Sequence, residues 1–483
     1  MLYFNQFLLT KRKGLNVEKF VTGSIGDYSL YTHSNLQVAQ NSRDKAEIVL
    51  VGYCFDYRNP SFSNKDIIDC INISRPLEEI LDELAHLSGV YIVILKNESG
   101  LFILTDMCAF REVYYSNNQG NCSIASSPGL LKLGSEGDDP KPESVDEFYQ
   151  TDVFKSRLIW VGDETSFKGI KRLKPNHYLN LSNGDIVRYF PAKKNSVISV
   201  EESATKAAAI LKRILKAATH RGTIMMGLTA GWDSRVLLAA SKELKDEILY
   251  FVIKHKNAAF DCSTSEKLAY RFDLNYIQYQ YALSFDHNNY KQVADSLPNV
   301  NLNYPGSFTF SKFFPEVLGV NGTASEIARL EFGIINDLSG KKFAALAKYP
   351  DEAYPINSYD KWIKENHDHF YQMGYSTLDL FYWEEILANR TAKLISEGHA
   401  VNRYIFPPFN CRILITTLLS VDPRYRQKHD NQLYTAIVNK LWPETLQEPV
   451  NPTFKKRVIR TMQKLGVYNL YRNMFTTGVK FKI

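Results

Sequence analysis

What this chain lacks narrows it first. No apolar run approaches the about eighteen residues that mark a membrane-spanning helix, so no transmembrane segment is expected. The six cysteines, at 54, 70, 108, 122, 262 and 411, form no C-x-x-C pair and no metal-ligand spacing. That excludes a zinc ribbon or dithiol redox motif and fits reduced, mostly buried thiols in a cytoplasmic protein. No low-complexity stretch signals disorder, and no internal repeat is present. No glycine-rich run leads into Gly-Lys-Ser/Thr, which excludes a Walker A loop. The start, MLYFNQFLLTKRK, has no basic residue ahead of its short apolar stretch and no small-residue cleavage site, so no signal peptide is expected.

What is present supports full-sized cores: 483 residues, 45% hydrophobic and 13% aromatic, enough for two or three domains. The net charge of +6 is not spread evenly. Residues 452–483 hold eight Lys or Arg and no acid, leaving 50 bases against 52 acids elsewhere. Three readings of this tail stay open: a final helix with a solvated basic face, a cationic wall for a triphosphate, or an amphipathic segment on an anionic membrane or nucleic acid. The bases are not interleaved with a recognisable nucleic-acid fold, so no nucleic-acid partner is expected.

The most telling stretch is Leu228-Thr229-Ala230-Gly231-Trp232-Asp233-Ser234. Before it, Thr223–Leu228 reads as a short buried strand; after it, Ser234–Leu244 has apolar residues at helical spacing. A strand turning tightly into a helix presents unpaired backbone N–H groups and the positive end of the helix dipole, a geometry suited to phosphate. Thr229 and Ser234 add hydroxyls, Gly231 admits close approach, and Asp233 is the type of residue that holds an accompanying Mg²⁺. Further strands are expected near 248–253 and 275–280, alternating with helices near 234–244 and 262–272, which argues for βαβ units and a parallel sheet. Ser199-Val200-Glu201-Glu202 has the spacing of a capping box that opens a helix. Gly169–Tyr189 reads as a hairpin turning at Asn183-Gly184, followed by a linker at 190–195. After about residue 325 the pattern is mainly helical. His367-Asp368-His369 reads as solvated surface, and Phe381-Tyr382-Trp383 with Glu384 and Glu385 as packing.

The loop resembles the Ser-Gly-Gly-x-Asp-Ser pyrophosphate loop of the ATP pyrophosphatases, departing at Thr229 and Ala230. Thr keeps the hydroxyl, and Ala is tolerable if its φ is negative. Phe260-Asp261 with the following Ser265–Ala269, then Asn321-Gly322-Thr323-Ala324-Ser325-Glu326, then Pro407-Pro408-Phe409-Asn410-Cys411-Arg412 extend the likeness. Together they resemble, in order, segments of the synthetase domain of the asparagine synthetase family, whose relatives include β-lactam synthetases, carbapenam synthetases and lasso-peptide cyclases. Residues 1–190 resemble that family's class II glutaminase domain through Gly89–Leu95, Leu101–Asp106, Arg111–Tyr115 and Ala125-Ser126-Ser127. The resemblance implies an αββα-type glutaminase-like domain over 1–190. An α/β ATP-pyrophosphatase domain with a helical C-terminal part would follow over 197–483.

It also implies where chemistry has gone. Class II glutaminases use a cysteine at position 2; here that position is Leu2. Their Asn-Gly-Glu segment, which supplies oxyanion donors, aligns with Gly52-Tyr53-Cys54. Nucleophile and donors are missing together, so this domain is expected to have no acyl-transfer site. For the second domain the resemblance implies ATP and Mg²⁺ as cofactors. ATP and pyrophosphate would be held by Leu228, Thr229, Ala230, Gly231, Asp233, Ser234 and Gly322, with Asp233 and Glu326 as metal ligands. Lys455 and Lys456 fall near the family's C-terminal catalytic lysine. The acidic residue that assists the nucleophile in relatives aligns with Thr323. The implied activity is an AMP-forming ligase that activates a carboxylate as an acyl-adenylate for attack by ammonia or an amine. Asparagine synthesis and a non-catalytic scaffold role stay open as alternatives, and a homodimer is compatible with the layout.

Overall fold

The computed structural model describes residues 3–118, 121–134, 143–280, 304–428 and 430–451, with isolated positions between 291 and 297. Two six-stranded sheets occupy the N-terminal part and one five-stranded sheet the rest. In the first part all pairings are antiparallel, and the long neighbours Ala46–Asp56 and Leu87–Asn97 pair from Glu47 against Lys96 to Asp56 against Leu87. Successive side chains on a strand face opposite ways, and the apolar residues divide accordingly. Phe7, Leu9, Val49, Val51, Ile92, Ile94 and Ile124 fill the space between the two sheets. Their neighbours Ile48, Leu50, Val93 and Leu95 face outward, under the helices Asn64–Cys70 and Leu77–Leu84. On the far side, Leu8, Tyr31 and Tyr114 pack under Leu130 and Leu131 of the helix Pro128–Gly134. Helices thus cover both outer faces of two stacked sheets, giving the expected αββα layering. The hairpin His177–Asn180 to Asp185–Arg188 closes it, turning through Asn183 and Gly184 (φ +80°).

The helix Val200–Thr219 opens the second part, with Ser199 Oγ accepting from the Glu202 amide at 3.1 Å. Ala204, Ala207, Ala208, Leu211, Ile214, Leu215 and Ala218 lie on its buried face, the three-and-four spacing of an amphipathic helix. The parallel sheet runs in spatial order Tyr276–Gln280, Ile248–Lys254, Ile224–Gly227, Leu318–Val320, Tyr404–Phe406. Ile224, Met225 and Met226 are buried, as a central strand covered on both faces requires. The helices Trp232–Ala240 and Ala259–Phe272 lie where the alternation requires. Two strands, Leu318–Val320 and Tyr404–Phe406, were not foreseen: at three residues each they carry no readable periodicity. The second lies inside the otherwise mainly helical C-terminal part.

One apolar core runs through both parts. Tyr53, Phe55, Val90, Met107 and Phe110 from the first share a cluster with Trp383, Phe406, Phe409 and Leu414 from the second. Polar contacts fix the same seam. Asn410 Nδ2 donates to Gly89 O and to Asp106 Oδ1 (2.8 Å), and Asn410 Oδ1 accepts from the Cys108 amide at 3.0 Å. Trp383 Nε1 donates to Met107 O at 3.0 Å. The aromatic run around Trp383 therefore packs. Glu384 beside it is buried and receives Arg188 through both carboxylate oxygens.

Candidate functional site

The sheet order decides where a ligand fits. From the central strand Ile224–Gly227 the chain builds outward to one side, through 248–254 and 276–280, then crosses to the other side for 318–320 and 404–406. The gap between strands 224–227 and 318–320 is thus the topological switch point, where open parallel sheets bind ligands at their carboxyl ends. The two quoted loops, 228–234 and 321–326, follow these two neighbouring strands directly. The sequence places them far apart, and the sheet places them side by side.

Within the first loop the hydroxyls shape the backbone. Thr229 N donates to Ser234 Oγ (3.1 Å), Gly231 N donates to Thr229 Oγ1 (3.2 Å), and the two hydroxyl oxygens lie 2.9 Å apart. Ala230 N donates to Asp261 Oδ1 at 2.9 Å, which gives the quoted Phe260-Asp261 segment a role in holding the loop. Ala230 is not among the residues with positive φ, so its methyl costs no left-handed strain. Gly231 is the N-cap of helix Trp232–Ala240 and supplies no capping side chain. The first-turn amides of Trp232, Asp233 and Ser234 thus begin the helix without a side-chain cap, the arrangement that accepts an anion. Leu228 is buried, its amide donating to Phe251 O at 2.8 Å.

The second loop is fitted against the first. A β-carbon on Gly322 would meet Asp233 Cβ at 2.3 Å, so only glycine lets the loops approach this closely. Ala324 adopts φ +77°, ψ −14°, a left-handed conformation unusual for a residue with a side chain. Ser325 Oγ donates to Asp233 Oδ1, and Tyr434 Oη donates to Ser325 O at 2.7 Å. The structure thus brings Gly322, Asp233 and Glu326 into one locus.

What lies between the two expected metal ligands was not foreseen. Arg329 Nη1 sits 3.2 Å from Asp233 Oδ2, and its Nη2 sits 3.9 Å from Glu326 Oε1 and 3.6 Å from Glu331 Oε2. Lys428 Nζ pairs with Glu331 Oε1. Burial raises the Glu326 carboxyl to about 7, with the neighbouring Asp233 charge adding to it and Arg329 opposing. Burial also raises Asp233, against Arg329 and the Ser325 hydroxyl. Mg²⁺ needs a near-octahedral shell of available oxygens at 2.0–2.1 Å. Here one Asp233 oxygen accepts from Ser325 and the other faces a guanidinium. Among the described residues no group of three or more His, Cys, Asp or Glu side chains could hold a metal ion. As arranged, Asp233 and Glu326 fit a guanidinium and do not fit a protein-held Mg²⁺. Sequence reasoning missed Arg329 because its partners are Asp233, almost a hundred positions earlier, and carboxylates three before and two after it.

Lys455, Lys456 and Leu2 lie outside the described residues. The chain reaching residue 451 is nonetheless fastened to the loop. Arg235, fully buried in the first turn of the loop helix, donates through Nη1 to Thr445 O (2.6 Å) and Glu448 O (2.7 Å). Asn451 N donates to Ala230 O at 2.9 Å.

In the first domain, the segment aligned with oxyanion donors is engaged in folding. Gly52 N donates to Gln37 O (2.9 Å), and Cys54 N donates to Asn64 Oδ1 (3.2 Å). Cys54 is fully buried, and burial pushes its thiol up to about 12, partly offset by Arg221. Such a thiol is inert at neutral pH. No helix among the described residues is long and apolar enough to cross a membrane.

No protein-family model matches the chain, and no curated protein is significantly similar to it. Among solved structures it is similar to an NH3-dependent NAD synthetase from Campylobacter jejuni in complex with the nitrate ion, at 16% identity and TM-score 0.21, over 42% of this chain and 97% of that one. It is also similar to a glutamine phosphoribosylpyrophosphate amidotransferase from B. subtilis complexed with ADP and GMP. There the identity is 11% and the TM-score 0.23, over 62% of this chain and 61% of that one. Likenesses of this size carry no argument about activity.

Proposed function

We propose that the chain is an ATP-dependent, AMP-forming carbon–nitrogen ligase whose nucleotide site lies at the switch point, where residues 228–234 and 321–326 meet. The observation that carries this reading is the uncapped helix start at Trp232–Ser234, set at the carboxyl end of the central strand and closed from the side by Gly322. A substrate carboxylate attacks the α-phosphorus of ATP. The bond to the β-phosphate oxygen breaks, and pyrophosphate leaves toward the first-turn amides. An amine then attacks the acyl-adenylate carbonyl, loses a proton, and AMP departs. The protein's part is positioning and charge stabilisation. Leu228 and Gly322 are assigned backbone contacts to the nucleotide; Thr229, Ala230, Gly231 and Ser234 shape the pyrophosphate loop. Lys455 and Lys456 are assigned to the developing charge. The nitrogen comes from ammonia or a substrate amine, since neither Leu2 nor the spent amides of Gly52 and Cys54 support glutamine cleavage.

A second reading, a nucleotide-binding member without ligase turnover, is favoured by Arg329 holding the carboxylates and by Thr323 in place of an acid. Incubation with ATP and a pool of carboxylates and amines separates the two. Pyrophosphate and AMP released in equal amounts, and lowered in Gly322→Ala, support the ligase. Release of ADP and phosphate overturns it, and ATP binding without any turnover favours the second reading.

A further inference from the structure

We infer that Arg329 serves as the fixed cation of the nucleotide site, in the position where Asp233 and Glu326 would otherwise present a divalent metal, so that the site takes a polyphosphate without needing a protein-held metal. The inference rests on the nucleotide reading above and concerns binding, not turnover. Four observations carry it. Arg329 is 9% exposed, and its guanidinium lies 3.2 Å from the carboxylate of Asp233 in the first loop. Its Nη1 and Nη2 reach Asp233, Glu326 and Glu331, so the guanidinium is held in a fixed place by three carboxylates. Arg329 Nε is likewise buried without a partner, so the fork keeps a donor unspent at the site. Lys428 is engaged with Glu331, so among the described residues Arg329 is the cation in contact with the loop carboxylate.

The physical consequence follows from charge and geometry. A guanidinium is permanently charged and binds phosphate oxygens in a fixed fork, neutralising charge as Mg²⁺ does elsewhere. A divalent ion placed against Asp233 would meet that positive charge at close range. It would also have to displace Ser325 and Arg329 from both carboxylate oxygens. An incoming phosphate instead draws Arg329 from Asp233 to itself, exchanging one anionic partner for another.

The test is calorimetric titration of the full chain with ATP, and separately with inorganic pyrophosphate, in buffer containing EDTA and in buffer containing excess Mg²⁺. The wild-type chain is expected to bind ATP in EDTA with an affinity within about threefold of that in Mg²⁺. Arg329→Gln is expected to weaken binding in EDTA by about tenfold to a hundredfold, the scale of one charge-assisted contact. Arg329→Lys, which keeps the charge but not the fork, is expected to fall between them and to serve if the Gln variant fails to fold. A wild-type chain that binds ATP only with Mg²⁺ overturns this inference and leaves the nucleotide reading standing. ATP bound in neither buffer overturns both. Mn²⁺ alone, followed by electron paramagnetic resonance, is expected to find no stoichiometric site in the wild-type chain. Tight binding of one Mn²⁺ at Asp233, lost in Asp233→Asn, overturns the inference directly.

Discussion

Gly322 and Asp233 stand in contact through the missing side chain of the first: a β-carbon there would lie 2.3 Å from Asp233 Cβ and 3.1 Å from Asp233 backbone atoms. Nothing flexible is available to give way, because the obstacle includes main chain. Gly322→Ala is therefore expected to push the two loops apart. It should cost about 1–3 kcal/mol of stability, the usual scale of overpacking. The loss of ATP affinity should exceed what that destabilisation explains. Urea denaturation and nucleotide titration on the same preparation check it; an alanine variant with wild-type affinity removes this glycine from the site.

Ala324 presents the opposite case. Its φ of +77° is held in a buried position, where a side chain costs about 1–2 kcal/mol relative to glycine. Glycine regains that but loses about 0.5–1 kcal/mol through its freer unfolded chain. Ala324→Gly should raise stability by about 0.5–1 kcal/mol, read as a higher urea midpoint. A lowered midpoint contradicts the argument.

Stability should also fall with acid in two steps. His177, half-buried, is pushed down from 6.5 to about 4, first by burial and then by the Arg188 charge, against Glu384. The unfolded chain binds the proton more readily, so this contribution is complete above pH 6.5. It is lost as pH falls toward about 4, and it amounts to about 2 kcal/mol after allowance for partial exposure. Burial alone would raise the Glu384 carboxyl, but Arg188, with His177 and Lys174 adding, brings it down from 4.5 to about 2. That contribution is complete above 4.5 and is lost between there and about 2. Denaturation midpoints measured from pH 7.5 to 2 check both, and His177→Gln should remove the upper step and keep a lower one, since Arg188 still holds Glu384.

Glutamine should not be hydrolysed. With Leu2 at the position of the nucleophile and the Gly52 and Cys54 amides committed to Gln37 and Asn64, no glutamate is expected from purified protein. Leu2→Cys alone should not change this. Glutamate formed in proportion to the protein added, from either chain, would sink the claim.

How much of this was legible beforehand depended on the range of the signal. The strand–loop–helix at 224–240 was readable because one short segment carries its whole pattern: apolar run, small-residue turn, helical spacing. The hairpin at Asn183-Gly184 was readable for the same reason. The three-residue strands at 318–320 and 404–406 were not, since only their partners in the sheet define them. The same limit hid Arg329 at the site. Glu326 is named from the sequence as a metal ligand, but nothing there points to Arg329, and only the folded chain sets Asp233 beside it. Gly322 was singled out, but the reason for glycine, the backbone of Asp233 against it, is a tertiary fact.

The core shared by Tyr53, Phe55 and Met107 with Trp383, Phe406 and Phe409 ties the two parts into one cooperative object. Deleting the first would uncover Trp383 and Phe406, both fully buried, and leave Asn410 without Gly89, Asp106 and Cys108. A cut at the linker would therefore hand each fragment a bare apolar wall, and the second part made alone would gather with its own copies before it could stay dissolved.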